Sequence, residues 1–544
     1  MLSIFGAKLC IKQKFNIGYT VFMAISTILL DIMFVVYVIA GVGLVIYGFS
    51  CYYSIYLFLK NSRSTRLSDR KKILQYYREH SMEDLPQVTT QLPVFNEANC
   101  VERLLEAVCA IDYPKDKHEI QVLDDSTDEC YEVAKKKVEE LAAKGYDIKL
   151  IHRTNRQEFK AGALKEAMAV AKGDFLAIFD ADFVPEKDFL LKTIPYMVMD
   201  EQVGLVQGRW GHLNRTESGL TLAQSIGIDG HFVVEQSARS WGKLFMNFNG
   251  TAGVWRKQAI YGGGGWEGDT LTEDMDLSYR SQLAGWKMKF VFDVIVPAEL
   301  PNDINAFKAQ QFRWAKGSIQ TAIKILPRVL KADVPFRVKL GAFLHTTHYS
   351  IHPCMLFTAL CAWPLLAFFE PVAHLPTWVY TVGFTFIFLA AIAPSVLYFV
   401  AQRCSGYTGW KVRLLSMPIL MALGVGIAVS NTKAVLAAVT GHKSGFVRTP
   451  KSGVGQKKKA TSHYKQKFPW QAVLELGVGV YCIFGLLEYI GAQKFIIGPF
   501  LALYSIGFLS VGVLSFMHYI SNLIEVHKAR KDENHHVEGV DLGK

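Results

Sequence analysis

The chain has 544 residues, 51% of them hydrophobic and 20% charged, with a mean hydropathy of +0.18. That balance is too apolar for an ordinary soluble protein of this length and points to a chain partly embedded in a membrane. The net charge of +11 does not argue for nucleic acid, because the basic residues cluster beside apolar runs and no recognition motif or aromatic-basic repeat accompanies them. Nine cysteines without a C-x-x-C pair fit a reduced, cytosol-facing domain and indicate neither a disulfide framework nor a zinc module.

Residues 1–60 form an N-terminal membrane region. From Asn16 to Leu59 the chain is nearly continuously apolar, interrupted by Asp31, and Lys8, Lys12 and Lys14 precede it. A bilayer span needs roughly 20 residues, so one long span or a tight pair fits. The preferred reading is one span over 32–57, preceded by an interfacial or second helix. The segment has no small-residue cleavage site and exceeds a signal-peptide core, so it is expected to stay attached. A charged linker follows over 61–83, with basic residues from Arg63 to Lys72.

Residues 84–336 alternate strand and helix patterns: "QVTTQLPVF" then "NCVERLLEAVCAI", "HEIQVLDD" then "CYEVAKKKVEELAAKG", "DIKLIHR" then "KAGALKEAMAVAKG", and "DFLAIFDADF". Such alternation predicts an α/β domain, a parallel sheet covered by helices, with functional residues at the carboxyl ends of its strands. The acids Asp124, Asp125, Asp180 and Asp182 sit there.

Residues 337–525 carry apolar runs near 338–369, 376–401, 415–440, 471–490 and 495–521, followed by a polar tail over 526–544. Four of these read as spans. The run at 415–440 has basic segments on both sides that would each prefer the cytosolic face, including the loop 441–470, so an interfacial or re-entrant helix is expected there.

Several stretches have the composition of a phosphate-handling site. Asp180 and Asp182, two residues apart after an apolar strand, repel one another unless a cation lies beside them. Mg²⁺ or Mn²⁺, with oxygen ligands and a substrate phosphate, is the natural filler; a surface turn is the plainer alternative. Lys160 enters a helix whose first N–H groups could also face an anion, or is an ordinary lysine near a helix start. Thr272 is placed as the N-cap of a helix beginning with Glu273 and Asp274, either acids favoured by the helix dipole or, after the Gly-rich "YGGGGWEGD", a base within reach of a substrate. In "AQQFRWAKG", Arg313 could clamp a diphosphate and Trp314 pack a sugar face, or the two could simply stack. His345, His348 and His352 share one helix face entering the bilayer, read as a polar lining in preference to a metal site.

Taken in order, "PVFNE" (93–97), "DDSTD" (124–128), "KAGAL" (160–164), "DAD" (180–182), "TEDMDL" (272–277) and "QQFRW" (310–314) resemble the processive family-two glycosyltransferases over roughly residues 85–450. "FNGTAGVWR" and "TEDMDLSYR" look most like the cellulose synthase-like mannan and glucan synthases. The resemblance implies a Rossmann-like, GT-A type cytosolic domain between transmembrane and interfacial helices. It implies that Pro93, Glu97 and Asp125 hold the uracil nucleoside, that Lys160 and Asp180 contact the diphosphate, and that Asp182, with Asp180, ligates Mg²⁺ or Mn²⁺. Asp274 becomes the general base within Thr272–Glu273–Asp274, while Gln310, Arg313 and Trp314 border the diphosphate and the acceptor sugar. "FVRTPK" (446–451) is similar to a gating loop of the bacterial cellulose synthase in Phe446, Thr449 and Lys451, but carries Arg448 in place of Val. No C-terminal cytosolic regulatory barrel is expected.

The implied activity is inverting, processive polymerisation of a β-linked glucan or mannan from UDP-glucose or GDP-mannose, with export of the chain across the membrane. The partners are the nucleotide sugar, the growing polysaccharide and the bilayer, with no nucleic acid. The membrane would be the plasma or inner membrane in a bacterium and the Golgi membrane in a eukaryote. A single-transfer glycolipid synthase of the ceramide glucosyltransferase type shares these motifs and is the alternative; a transporter or receptor with a decayed domain is a third, disfavoured because every candidate acid and cation is present.

Overall fold

The computed structural model of the chain describes residues 2–368, 376–442, 453, 468–493 and 498–541. Its central element is a seven-stranded sheet. In chain order the strands are β1 (Val88–Val94), β2 (His118–Asp124), β3 (Asp147–His152), β4 (Phe175–Ile178), β5 (Val203–His212), β6 (Gly253–Arg256) and β7 (Lys287–Ala298). The spatial order is β3-β2-β1-β4-β6-β5-β7. β1, β2, β3 and β4 are parallel to their neighbours among themselves, whereas β6 runs antiparallel to both β4 and β5. The sheet is thus mixed, where strand–helix alternation predicted a parallel one.

Successive residues of the inner strands feed two different cores. Val122 and Ala177 pack with the helices Val101–Cys109, Cys130–Ala143 and Phe189–Met199, while Leu123, Leu176 and Ile178 pack with the helix Phe159–Ala169 on the opposite face. Burial on both faces is why these strands read as apolar runs in place of alternating ones.

The N-terminal helix runs unbroken from Leu2 to Glu79, so no separate second helix precedes a span. Its charged part over 61–79 is helical and tied to the sheet domain: Arg66 Nη2 lies 2.7 Å from Asp293 Oδ1, Arg70 Nε lies 3.3 Å from Asp293 Oδ2, and Lys289 Nζ lies 2.7 Å from Asp69 Oδ1. Tyr76 is buried in the domain core.

Among the described residues five helices are long and apolar enough to cross a membrane: Thr27–Glu79, His348–Phe368, Thr381–Cys404, Trp470–Gly491 and Gly498–Ile524. A further pair, Trp410–Gly426 and Ala428–Val439, bends by 41° at its break. The three histidines do not share one helix face, because the helix Phe336–Thr346 ends after His345 and His348 lies in a 3-10 turn that leads into the α-helix carrying His352. His345 Nδ1 instead meets the Tyr279 hydroxyl at 2.7 Å, and His352 Nε2 meets Asn431 Nδ2 at 2.9 Å.

Candidate active site

Loops at the carboxyl ends of β1, β2 and β4 open onto a cleft of about 740 Å³, lined also by the helix Ile304–Lys331. Pro93, Glu97, Asp125, Lys160, Asp180, Asp182, Thr272, Glu273, Asp274, Gln310, Arg313 and Trp314 all line it. Phe446, Thr449 and Lys451 lie outside the described residues.

After β1 the chain turns through Asn96, whose φ of +54° is left-handed. Its side chain locks this turn to the β2 loop: Thr127 N donates to Asn96 Oδ1 at 2.8 Å, and Asn96 N donates to Ser126 Oγ at 2.9 Å. Asp125 is buried and engaged by Arg153, whose Nε and Nη2 each donate to one carboxylate oxygen at 2.8 Å. Arg153 also donates to Phe159 O at 2.8 Å and pairs with Glu166 at 3.0 Å, so it braces the loop ahead of Lys160. The sequence reading did not single out Arg153. Its position just past the end of β3 was the available signal, because the neighbouring strand ends supplied the acids.

β4 ends at Ile178, and the chain then leaves the extended conformation: Phe183 N donates to Asp180 O at 3.0 Å, closing a turn. Asp180 and Asp182 therefore sit in a turn just past the strand end, where the sequence placed them. Asp180 N donates to Thr251 Oγ1 at 2.9 Å, and its carboxylate takes an ion pair from Lys160. Lys160 Nζ also donates to Gly250 O at 2.8 Å. Gly250 has φ +80°, and a Cβ there would come within 3.2 Å of Asp274 Oδ2. This glycine lets the backbone pass between Lys160 and Asp274.

Glu273 and Asp274 begin the helix Glu273–Leu283, half-buried at the cleft wall. Burial raises both carboxyls. For Asp274 the adjacent Glu273 adds to burial and brings the group to about 8, against the opposing pull of the Met275 N–H and Lys160. For Lys160, burial is outweighed by Asp180, Glu273 and Asp274, which hold the ammonium above its usual range. Arg313 is lowered by burial, with Glu273, Asp180, Glu97 and Asp182 acting the other way.

Thr272 occupies the N-cap position, but its hydroxyl makes no cap bond; it lies 3.1 Å from Thr321 Oγ1 on the helix Ile304–Lys331. The expected cap is replaced by a contact between elements. Asp274 Oδ1 instead accepts from Met275 N at 2.8 Å. At the other end of the cleft the rings are aromatic: Trp314 lies 6.4 Å from Trp210, which lies 5.1 Å from Phe183 and 5.0 Å from Phe232. Such faces suit a sugar ring.

A mixed α/β sheet thus carries an acid- and cation-lined cleft at its strand ends, in a chain with apolar helices on both sides of the domain. Residues 86–317 match the family described as "Glycosyltransferase like family 2". The chain is 46% identical over 253 residues to the probable glucomannan 4-beta-mannosyltransferase 7 of Oryza sativa subsp. japonica, covering 46% of this chain and 43% of that protein. It is 39% identical over 303 residues to glucomannan 4-beta-mannosyltransferase 1 of the same species, covering 54% and 58%. The chain thus spans about half the length of the curated relatives it matches. Among solved structures, the mannosyltransferase PcManGT from Pyrobaculum calidifontis, in complex with GDP-Man and Mn²⁺, is similar with a TM-score of 0.46 and 18% identity, over 72% of this chain and 99% of that one.

Proposed function

We propose that the chain is a membrane-embedded, inverting glycosyltransferase that builds a β-linked mannan or glucomannan from GDP-mannose, with UDP-glucose as the other candidate donor. The observation that carries this reading is one cleft lined by Lys160 and Arg313 together with Asp274. A sugar nucleotide brings its own leaving group, so the chemistry needs stabilisation of a departing diphosphate and one base for the acceptor hydroxyl. Lys160 and Arg313 supply the first. Asp274 supplies the second, taking the acceptor proton as the oxygen attacks the anomeric carbon opposite the diphosphate; an α-linked donor then gives a β-linked product. The name of the rice relatives favours a mannosyl donor.

Asp182, buried at 6% exposure and facing the cleft, would hold the divalent ion together with Asp180. Their oxygen-only donor set fits Mg²⁺ or Mn²⁺, which when bound neutralises diphosphate charge. Asp125, braced by Arg153, borders the nucleoside with Pro93 and Glu97, while Trp314 and Trp210 face the acceptor sugar. The basic residues that follow the first span, Arg63 to Lys72, favour a cytosolic catalytic domain in a multi-pass protein, and the polymer would leave through the helices beside Trp314.

Membranes containing the chain, supplied with labelled GDP-mannose or UDP-glucose and Mn²⁺ or Mg²⁺, are expected to give ethanol-insoluble β-linked polymer. Solvent-extractable lipid would favour the single-transfer alternative, and no product with any donor would remove the enzymatic reading. Asp274→Asn is expected to lower transfer by about 10²–10⁴-fold, the range for a general base, while donor binding survives. Asp182→Asn weakens metal-dependent donor binding, measured by titration of the solubilised protein. Full turnover by Asp274→Asn would sink the base assignment.

A further inference from the structure

On the helix Ile304–Lys331, Gln310, Arg313, Gly317, Gln320 and Lys324 recur at alternating spacings of three and four residues, which places them along one face. Gln310, Arg313 and Gln320 line the cleft. Gly317 and Gln320 receive the segment that leads into Asp274. Gly317 lies so close to Thr272 that an added Cβ would stand 2.5 Å from its Cγ2. Gln320 Oε1 accepts from Leu271 N at 3.1 Å.

Lys324 ends the stripe among three carboxylates. Its Nζ lies 2.5 Å from Glu267, 2.8 Å from Asp269 and 3.1 Å from Asp276. Glu267 and Asp269 flank Gly268 in the loop whose residues Gly268 to Leu271 line the cleft, and Asp276 is two residues beyond Asp274. The other cation in the group is Arg280, 2.8 Å from Asp276 and 3.7 Å from Glu267. The loop begins at Gly264 and Gly265, both with positive φ, so its own backbone gives it little stiffness. Without the ammonium, three carboxylates whose oxygens lie within 4.8 Å of one another would repel, with Arg280 as the remaining counter-charge.

We propose that Lys324 is a positioning residue for transfer: its ammonium latches the loop 267–272 to the helix that carries Gln310 and Arg313, fixing that loop and Asp274 relative to Arg313. The proposal rests on the reading above that Asp274 is the base and Arg313 faces the diphosphate. It differs from a generic surface ion pair because one side chain joins three elements: the cleft loop, the helix of the candidate base and the helix of the candidate diphosphate clamp. A small displacement of such a group can cost about 10²-fold in rate.

The test uses the full chain in detergent, as Lys324→Met, Lys324→Arg and the loop-side variant Glu267→Gln/Asp269→Asn. The first readout is hydrogen–deuterium exchange. In Lys324→Met, peptides covering 264–272 are expected to exchange about tenfold faster or more while those of β1 to β4 keep their rates. The second is initial rate with GDP-mannose and Mn²⁺: kcat falls about 10- to 100-fold with donor KM changed by no more than about twofold, and Lys324→Arg restores most of the loss. The loop-side variant reproduces both effects and carries the test if Lys324→Met does not fold. Unchanged exchange over 264–272, or a kcat loss that Lys324→Arg leaves in place, overturns the proposal. A wild-type chain inactive with every donor would count against the enzymatic reading, while the exchange measurement would still decide the latch.

Discussion

At Asp274 two effects act in the same direction. Burial and the neighbouring Glu273 both penalise ionisation and raise the carboxyl to about 8 in the absence of donor. A base must be ionised to accept a proton, so kcat/KM for the donor, which reports the free enzyme, is expected to climb with pH and level off above about 8. Stability moves the other way. A carboxyl raised on folding binds a proton when the chain folds, so its contribution declines as pH rises from the ordinary carboxylate range to about 8 and is constant beyond. A pH–rate profile and thermal inactivation measured in the same buffers check both; a flat kcat/KM over this window overturns the base assignment or its environment. Only the neighbouring Glu273 was legible from "TED" as three letters; the burial, which is the larger cause, and the approach of Asp180 come from tertiary packing.

The helix Ile304–Lys331 is the element on which the site's geometry depends most. Its sequence showed "QQFRW" as a motif, but not that the same face goes on through Gly317, Gln320 and Lys324 to hold the loop before Asp274. Gly317 gives a sign test. Glycine within a helix ordinarily costs about 1 kcal/mol relative to alanine, so Gly317→Ala would stabilise a free helix face. Here the new Cβ would stand 2.5 Å from Thr272 Cγ2 and 2.9 Å from its backbone N, a clash with backbone that cannot rotate away. Gly317→Ala is expected to lower stability by about 1–3 kcal/mol, as overpacking does, and to reduce kcat with it. Thermal inactivation of the solubilised variant and its rate of transfer check the direction; a more stable, fully active variant would show that the two elements are not packed as described. The sheet makes a related point. β1 to β4 were readable as apolar runs ending in acids, whereas the antiparallel β6, "GVWR", is four residues long and owes its place to pairing with β4 and β5.

Across the whole molecule, the catalytic-side helix is joined to the apolar helices by a buried charge pair. Lys308, two residues before Gln310, has its Nζ 2.6 Å from Glu475 Oε1 on the helix Trp470–Gly491, and it donates to Ser515 Oγ on the last helix at 3.2 Å. Both charged residues are almost fully buried, Lys308 at 5% exposure and Glu475 at 0%. Removing one partner leaves an uncompensated charge, and Lys308→Met or Glu475→Leu alone is expected to cost about 3–5 kcal/mol. The double replacement by apolar side chains should recover most of that loss, since it leaves no orphaned charge. Inactivation temperatures of the two single variants and the double variant test this; additive losses would mean that the pair is not the joint between the two regions.

By itself the sequence determined the division into apolar ends and an alternating strand–helix middle, because hydropathy and periodicity are local properties of the chain. It also determined which motifs collect at strand ends, and the family-two glycosyltransferase resemblance that their order carries. The tertiary structure decided the rest. It folds Asp180 and Asp182 into a turn, turns Thr272 from a cap into a contact with Thr321, separates His345 from His352 by a helix end and a 3-10 turn and gives Asp125 its partner Arg153. Each of these depends on residues tens to hundreds of positions apart or on a backbone turn, and spacing along a chain does not say which distant side chain will meet a charge or where a strand will stop.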